Sequence, residues 1–294
     1  MLRARVPATS ANLGPGFDTL GLALDLHLDV HLTPAERDAF AYRGNGTVPD
    51  DADNLVHRGF RAVHQAVGRE SPPVRFEVDN PIPLARGLGS SSAALVAGAA
   101  LADAMLGEPL GKDGVFRVAA RLEGHPDNVA PAVYGGFTVS AADDEGEYRT
   151  VSLAVPAAWR LVFGVPPFEL GTAAARAALP ERYDRADVIL TSSRTALWVA
   201  AVATGDADLL RTAALDVLHQ PFRAALVPGL LETTHRLRAA GAAAAFLSGA
   251  GPTIGVVTDA VHLEACTAAL RSFVGVDGAV LALEAAPGYR TERC

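Results

Sequence analysis

Apolar and polar residues alternate along 20–32, with Leu22, Leu24, Leu26, Leu28 and Val30 on one side, and residues 2–6 alternate in the same way. This is the period of a strand with one buried face. From Asn54 the period changes. Val56, Phe60, Val63 and Val67 recur at helical spacing, Asn54 can cap that helix, and Gly68 stops it. Val74, Phe76 and Val78 predict a short strand, broken by Asn80-Pro81-Ile82-Pro83. A Gly/Ser loop at 87–92 then leads into an almost entirely apolar run to Met105, and a helix that is apolar all round is buried. Val115, Val118 and Leu122 mark another helix, closed by Gly124. Residues 125–128 read as a loop, 134–140 as a strand, and the acidic stretch 141–149 as a solvated hairpin tip.

From about residue 159 the order of elements is different. A strand starts at Leu161, and helices are expected at 172–179, 185–203, 206–217 and 229–240. Strands follow near 243–248 and 253–258, then a helix at 260–273 and a strand at 279–285. With the helical block taken as one unit, the order is β-α-β-β-α-β, which is ferredoxin-like. Both halves read as α+β, and the boundary near 155–160 divides the chain into domains 1–157 and 158–294. The final strand can pair with either half.

Composition narrows the chemistry. A length of 294 residues suits two domains, and half of the residues are hydrophobic. The net charge of −8 argues against a nucleic-acid partner, which is held through its phosphates. It does not exclude a small anion bound by backbone N–H groups. Cys266 and Cys294 have no His or Cys at metal spacing, which fits a reducing compartment. With no apolar signal core and no long apolar span, no membrane association and a cytoplasmic location are expected. Lys112 is the only lysine, and neither a Walker A loop nor the strand lysine of a protein kinase is present. Any ATP site must be built in another way.

The segment Pro83-Leu84-Ala85-Arg86-Gly87-Leu88-Gly89-Ser90-Ser91-Ser92-Ala93 offers one. Gly87 and Gly89 permit positive φ and close backbone approach. The serines fall where a helix begins, so free N–H groups and the helix dipole favour an anion there. The plainer alternative is a tight turn in which Ser90 or Ser91 is an N-cap. A second Gly-rich segment, Ser248-Gly249-Ala250-Gly251-Pro252-Thr253, lies between two expected strands. It is either a further ligand loop or an ordinary β-turn.

Three segments in this order, 6–18 (Val-Pro-Ala-Thr-Ser-Ala-Asn-Leu-Gly-Pro-Gly-Phe-Asp), 83–94 and 247–253, resemble the three motifs of the GHMP kinases. The first motif, together with Glu123-Gly124-His125-Pro126-Asp127-Asn128 and Thr172–Pro180, resembles the homoserine kinase branch. The resemblance spans nearly the whole chain. It implies an N-terminal domain like ribosomal protein S5 domain 2, with a left-handed βαβ crossover, and a ferredoxin-like C-terminal domain. It also implies ATP and Mg2+, with the triphosphate on residues 83–93 and with Gly249 and Gly251 contributing. L-homoserine would lie between the domains, and the assembly would be a homodimer. By the same resemblance Asn12, Asp18 and His125 contact the substrate, and Arg176 and Arg223 suit its carboxylate, which a guanidinium binds bidentately. Ser91 and Glu123 are the metal candidates, with Asp127 the nearest competing carboxylate. Asn128 stands where mevalonate-kinase-like members carry a basic Asp. With Asp18 it is a catalytic candidate acting by position rather than as a base. The rival readings are a kinase for mevalonate or shikimate, which lack an ammonium group, and a non-catalytic nucleotide-binding regulator on the same fold.

Overall fold

The structure, a computed structural model, describes all 294 residues. In the first half β1 (Leu2–Ala11), β2 (Leu20–Pro34) and β3 (Ala39–Gly44) precede helix α1 (Leu55–Ala66) and β4 (Val74–Asn80). Helices α2 (Ser90–Met105), α3 (Gly111–Glu123) and α4 (Val129–Tyr134) follow, then the hairpin β5 (Phe137–Ala142) and β6 (Tyr148–Leu153). β1 and β2 pair antiparallel, and the register shifts between Pro7 and Ala8, next to a residue that has no N–H to donate. β4 buries Val74, Phe76, Val78 and Asn80 in strict alternation.

The second half runs β7 (Arg160–Val165), α5 (Thr172–Ala177), α6 (Arg185–Thr204), α7 (Leu210–Ala213), α8 (Gln220–Arg223) and α9 (Leu230–Ala239). It continues with β8 (Ala244–Leu247), β9 (Ile254–Thr258), α10 (Leu263–Val274), β10 (Ala279–Leu283) and β11 (Arg290–Arg293). The fold is α+β, with a seven-stranded mixed sheet and a four-stranded antiparallel one in the order β10-β7-β9-β8. That order places the fourth strand beside the first, as a ferredoxin-like unit does.

Several expectations need correction. β3 was not anticipated, and it pairs parallel to β4. The stretch from 129 begins as helix α4, and the strand starts only at Phe137. Pro131 lies in the first turn of that short helix, where no intrahelical N–H is required. The helix expected over 206–217 is a 3-10 turn followed by the short α7; Asp216 then accepts the N–H groups of Leu218, His219 and Gln220. The strand at 279–283 belongs to the second sheet, but the chain then returns and adds β11 to β1 in the first.

α2 is buried on nearly every face, and a Cβ on Gly98 would run into the Val56 carbonyl while one on Gly59 would run into that of Leu95. The two helices therefore pack at backbone distance. One apolar core joins the halves: Trp198 stacks on Phe137 at 5.9 Å and meets Phe246 edge-on at 6.1 Å. This shared core fixes the two sheets relative to each other and defines the cleft between them.

Candidate active site in the cleft between the two sheets

A cavity of about 300 Å³ runs along this cleft. Its floor is the 83–91 loop. Phe40, Tyr42, Pro49 and Leu55 make one end apolar, and Asp18, His125, Asp127, Arg176 and Arg223, with the amide of Asn128, make the other end polar and charged.

The loop is not a serine-capped turn. Gly89 is the N-cap of α2, in the left-handed region at φ 67°, and no side chain caps the helix. Ser90 Oγ instead accepts from Asn80 Nδ2 at 3.1 Å. The Ser91 and Ser92 hydroxyls both donate to Glu123 Oε1, at 2.7 Å and 2.9 Å. No backbone N–H from Gly87 to Ser92 donates to another protein group. Six consecutive free donors at the positive end of a buried helix are the arrangement that suits an anion without lysine. A Cβ on Gly89 would overlap the Thr9 hydroxyl, and one on Gly87 the Ser248 carbonyl, so both glycines are needed for close approach as well as for φ. Arg86 turns away to bond the carbonyls of Leu84, Pro166 and Pro167 and to pair with Glu169. It ties the loop to the second half of the chain.

The 248–251 segment clasps the other two motifs. Ser10 and Ser248 share a hydrogen bond of 2.7 Å, and Ser248 Oγ donates to Gly87 O at 2.6 Å. Gly249 N donates to Ala11 O, and Gly249 O accepts from Asn12 Nδ2 and from Arg223 Nη1. Asn12 Oδ1 in turn accepts from Asp18 N. Asn12, Leu13 and Asp18 all have positive φ, at 68°, 50° and 54°, in the turn that links β1 to β2. This is a strained turn held by its side-chain bonds.

At the charged end, Arg176 pairs with Asp18 through two bonds, of 3.0 Å and 2.6 Å. Arg176 and Arg223 both lie over the Phe17 ring, at 5.2 Å and 5.3 Å. Arg223 is buried without a carboxylate partner, and burial followed by the charge of Arg176 lowers its pKa to about 10. Buried His219 accepts from Arg223 at Nδ1 and donates to Gly14 O from Nε2 (2.8 Å), so it is a neutral orienting group whose pKa burial pushes down. His125 behaves oppositely. Burial opposes its charge, but the 2.6 Å hydrogen bond to Asp127 and the charges of Asp127, Glu123 and Asp18 outweigh burial, and its pKa rises. Asn128 Oδ1 accepts from Thr9 Oγ1 at 2.8 Å.

The family model for the GHMP kinases N terminal domain matches residues 54–136, and that for the GHMP kinases C terminal matches 198–275. The chain belongs to the GHMP kinase family. A homoserine kinase of Thermus thermophilus is 52% identical over 287 residues, which are 98% of this chain and 97% of that one. The crystal structure of homoserine kinase from Cytophaga hutchinsonii superposes with a TM-score of 0.88 at 27% identity, covering 99% of this chain and 97% of that one. L. major mevalonate kinase, solved with R-mevalonate, has a TM-score of 0.71 at 14% identity, over 96% of this chain and 95% of that one, and shares the fold alone.

In this GHMP kinase, an ATP-dependent phosphotransferase by family, most of the residues singled out in the sequence meet at one cavity. Asn12, Asp18, Pro83, Arg86, Gly87, Leu88, Gly89, Ser90, Ser91, Glu123, His125, Asn128, Arg176, Arg223 and Gly249 line it. Ser92, Ala93 and Gly251 stand behind the lining. Ser92 donates to Glu123, and Ala93 is fully buried within α2. Lys112 lies over the Tyr289 ring at 5.3 Å, outside the cleft. Phe17 and Thr9 were given no role from the sequence, and Asp127, the competing metal carboxylate, bonds His125 and lies with Asp18 and His125 within 4.8 Å of one another. Phe17 carried one readable signal, since a large aromatic inside a Gly-Phe-Asp turn has no periodic core position to fill.

Proposed function

We propose that this chain is a homoserine kinase, transferring the γ-phosphoryl group of ATP to the side-chain hydroxyl of L-homoserine. The product, O-phospho-L-homoserine, lies on the route to threonine. The observation that carries the reading is the juxtaposition of Asp18 with Arg176 and Arg223 beside the Gly87–Ser92 amides. A carboxylate suits an ammonium, and two guanidiniums suit a carboxylate. A mevalonate- or shikimate-type substrate has no ammonium to offer Asp18. The relative from Thermus thermophilus carries the same activity in its name.

Catalysis rests on placement and charge. The free amides cradle the triphosphate, and the substrate charges at Asp18, Arg176 and Arg223 aim the hydroxyl along the cleft. Asn128 cannot accept a proton. It offers an amide fixed by Thr9, and early proton removal is not required in a loose phosphoryl-transfer transition state. Ser91 and Glu123 present a hydroxyl and a carboxylate 2.7 Å apart, the hard-oxygen donor type that would hold Mg2+. The ion would neutralise triphosphate charge. A homodimer fits the exposed apolar residues Val188, Ile189 and Leu190 on α6. The reading includes a cytoplasmic location and no nucleic-acid or membrane partner, in line with the net charge of −8.

The test is ADP release from ATP and magnesium in the presence of L-homoserine, mevalonate, shikimate or L-serine. Release dependent on L-homoserine is expected. Preference for an alcohol without an ammonium group would replace the substrate, and tight ATP binding with no turnover would favour the regulator reading.

A further inference from the structure

Arg223 is fixed from behind and free in front. Its Nε donates to Ala175 O, and its Nη1 donates to Gly249 O and to His219 Nδ1. Its Nη2 makes no bond within the protein, and the residue lines the cavity. Two of the three groups that fix it are backbone carbonyls. His219 is the side chain among them.

The partners of His219 dictate its tautomer. A guanidinium carries donors only, so Nδ1 must accept and the ring proton must sit on Nε2. Nε2–H then donates to Gly14 O at 2.8 Å. Asp216 Oδ2 lies 3.4 Å from the same nitrogen, but it already accepts the backbone N–H groups of His219 and Gln220. The Phe17 ring packs against the imidazole at 5.5 Å. The side chains of His219 and Asp216 are fully buried, so water does not replace a lost bond. Gly14 belongs to the strained turn that carries Asn12 and Asp18, and a Cβ on it would meet the Ala214 carbonyl. One imidazole therefore joins that turn, from the first half of the chain, to an arginine of the second half.

We infer that His219 is a positioning residue which, as the neutral Nε2–H tautomer, holds Arg223 with Nη2 turned into the cleft and in register with the Asn12–Asp18 turn. The inference rests on the reading of Arg223 as a group that meets the carboxylate of the amino-acid substrate. The two ring nitrogens have separate tasks: Nδ1 orients the arginine, and Nε2–H ties down the turn. Two substitutions separate them. Asn places an acceptor oxygen where Nδ1 stands and has no atom at Nε2. Gln places a donor nitrogen where Nε2 stands and has no atom at Nδ1.

Steady-state kinetics on the full chain with ATP, magnesium and L-homoserine, together with thermal unfolding, test the assignment. His219→Gln should raise KM for L-homoserine about tenfold and leave KM for ATP within about twofold. His219→Asn should lower the unfolding midpoint yet keep KM for L-homoserine within about threefold of the unmodified chain. No rise in KM for His219→Gln, or equal rises in both variants that follow the loss in midpoint, would overturn the inference, because an imidazole that only stabilises the fold predicts them. Nitrogen-15 NMR of the unliganded, unmodified chain, with His219 assigned by through-bond correlation, reads the tautomer without any substrate. A protonated Nε2 beside an unprotonated Nδ1 is expected, and a protonated Nδ1 would overturn the inference. Absence of turnover with L-homoserine in the unmodified chain would instead sink the substrate reading, and the tautomer would still judge the role of His219.

Discussion

Ser248→Ala removes one oxygen from the junction of all three motifs. Ser10, Ser248 and Gly87 form a chain in which the Ser10 hydroxyl bonds Ser248 Oγ and Ser248 Oγ bonds the Gly87 carbonyl. Ser10 and Ser248 are fully buried, so water does not replace the lost partner. Two bonds at about 1 kcal/mol each, plus a share of the desolvation penalty for the orphaned groups, give a loss of about 2–3 kcal/mol. The backbone bonds from Ser248 N to Thr253 O and from Gly249 N to Ala11 O remain, so the damage stays local. Thermal unfolding should shift down by about 5 °C for a chain of this size. The same oxygen pins the phosphate loop at Gly87, so KM for ATP should rise roughly tenfold, the equivalent of about 1.4 kcal/mol, while KM for the amino acid moves less. An unchanged midpoint together with an unchanged KM for ATP would refute the claim that this hydroxyl chain holds the loop.

Glu123→Gln, which keeps shape but removes the charge facing Ser91 and Ser92, should lower kcat about a hundredfold or more and raise the magnesium needed for half-maximal rate, with little change in unfolding midpoint. Phe17→Leu removes the ring beneath Arg176 and Arg223 and should raise KM for the amino acid several-fold while leaving KM for ATP unaltered, as steady-state kinetics would report. The raised pKa of His125 makes its protonated form stabilising, so its contribution is complete below the ordinary value of 6.5 and is lost as pH rises through the higher folded value. The stability difference between the unmodified chain and His125→Gln should therefore shrink on going alkaline, which denaturant unfolding at a series of pH values would measure.

The strands and helices with clean periodicity, such as the alternation of Leu22 to Val30 and the Val56–Phe60–Val63 stripe, were legible because each buries one face against a common core. β3 and β11 were not, because both are short edge strands whose pairing is decided at long range. β11 is a run of polar residues, Arg290-Thr-Glu-Arg293, whose place is set by β1 at the far end of the chain. The site was readable where a motif needed special backbone, as at Gly87 and Gly89. It was opaque where a side chain works through another side chain. Nothing in the sequence joins Thr9 to Asn128 across 119 positions, or Ser10 to Ser248 across 238. That no serine caps the helix was not legible either, since it turns on Ser91 and Ser92 facing Glu123.

The central claim is that this chain transfers the γ-phosphoryl group of ATP to the hydroxyl of L-homoserine. Phosphorus NMR of the purified protein with ATP, magnesium and L-homoserine tests it directly. Growth of a phosphate monoester resonance at the rate at which ADP appears, and its absence when 4-hydroxybutyrate replaces L-homoserine, is the predicted result. ADP accompanied only by inorganic phosphate, or a monoester formed equally well from the analogue without an ammonium group, would contradict it.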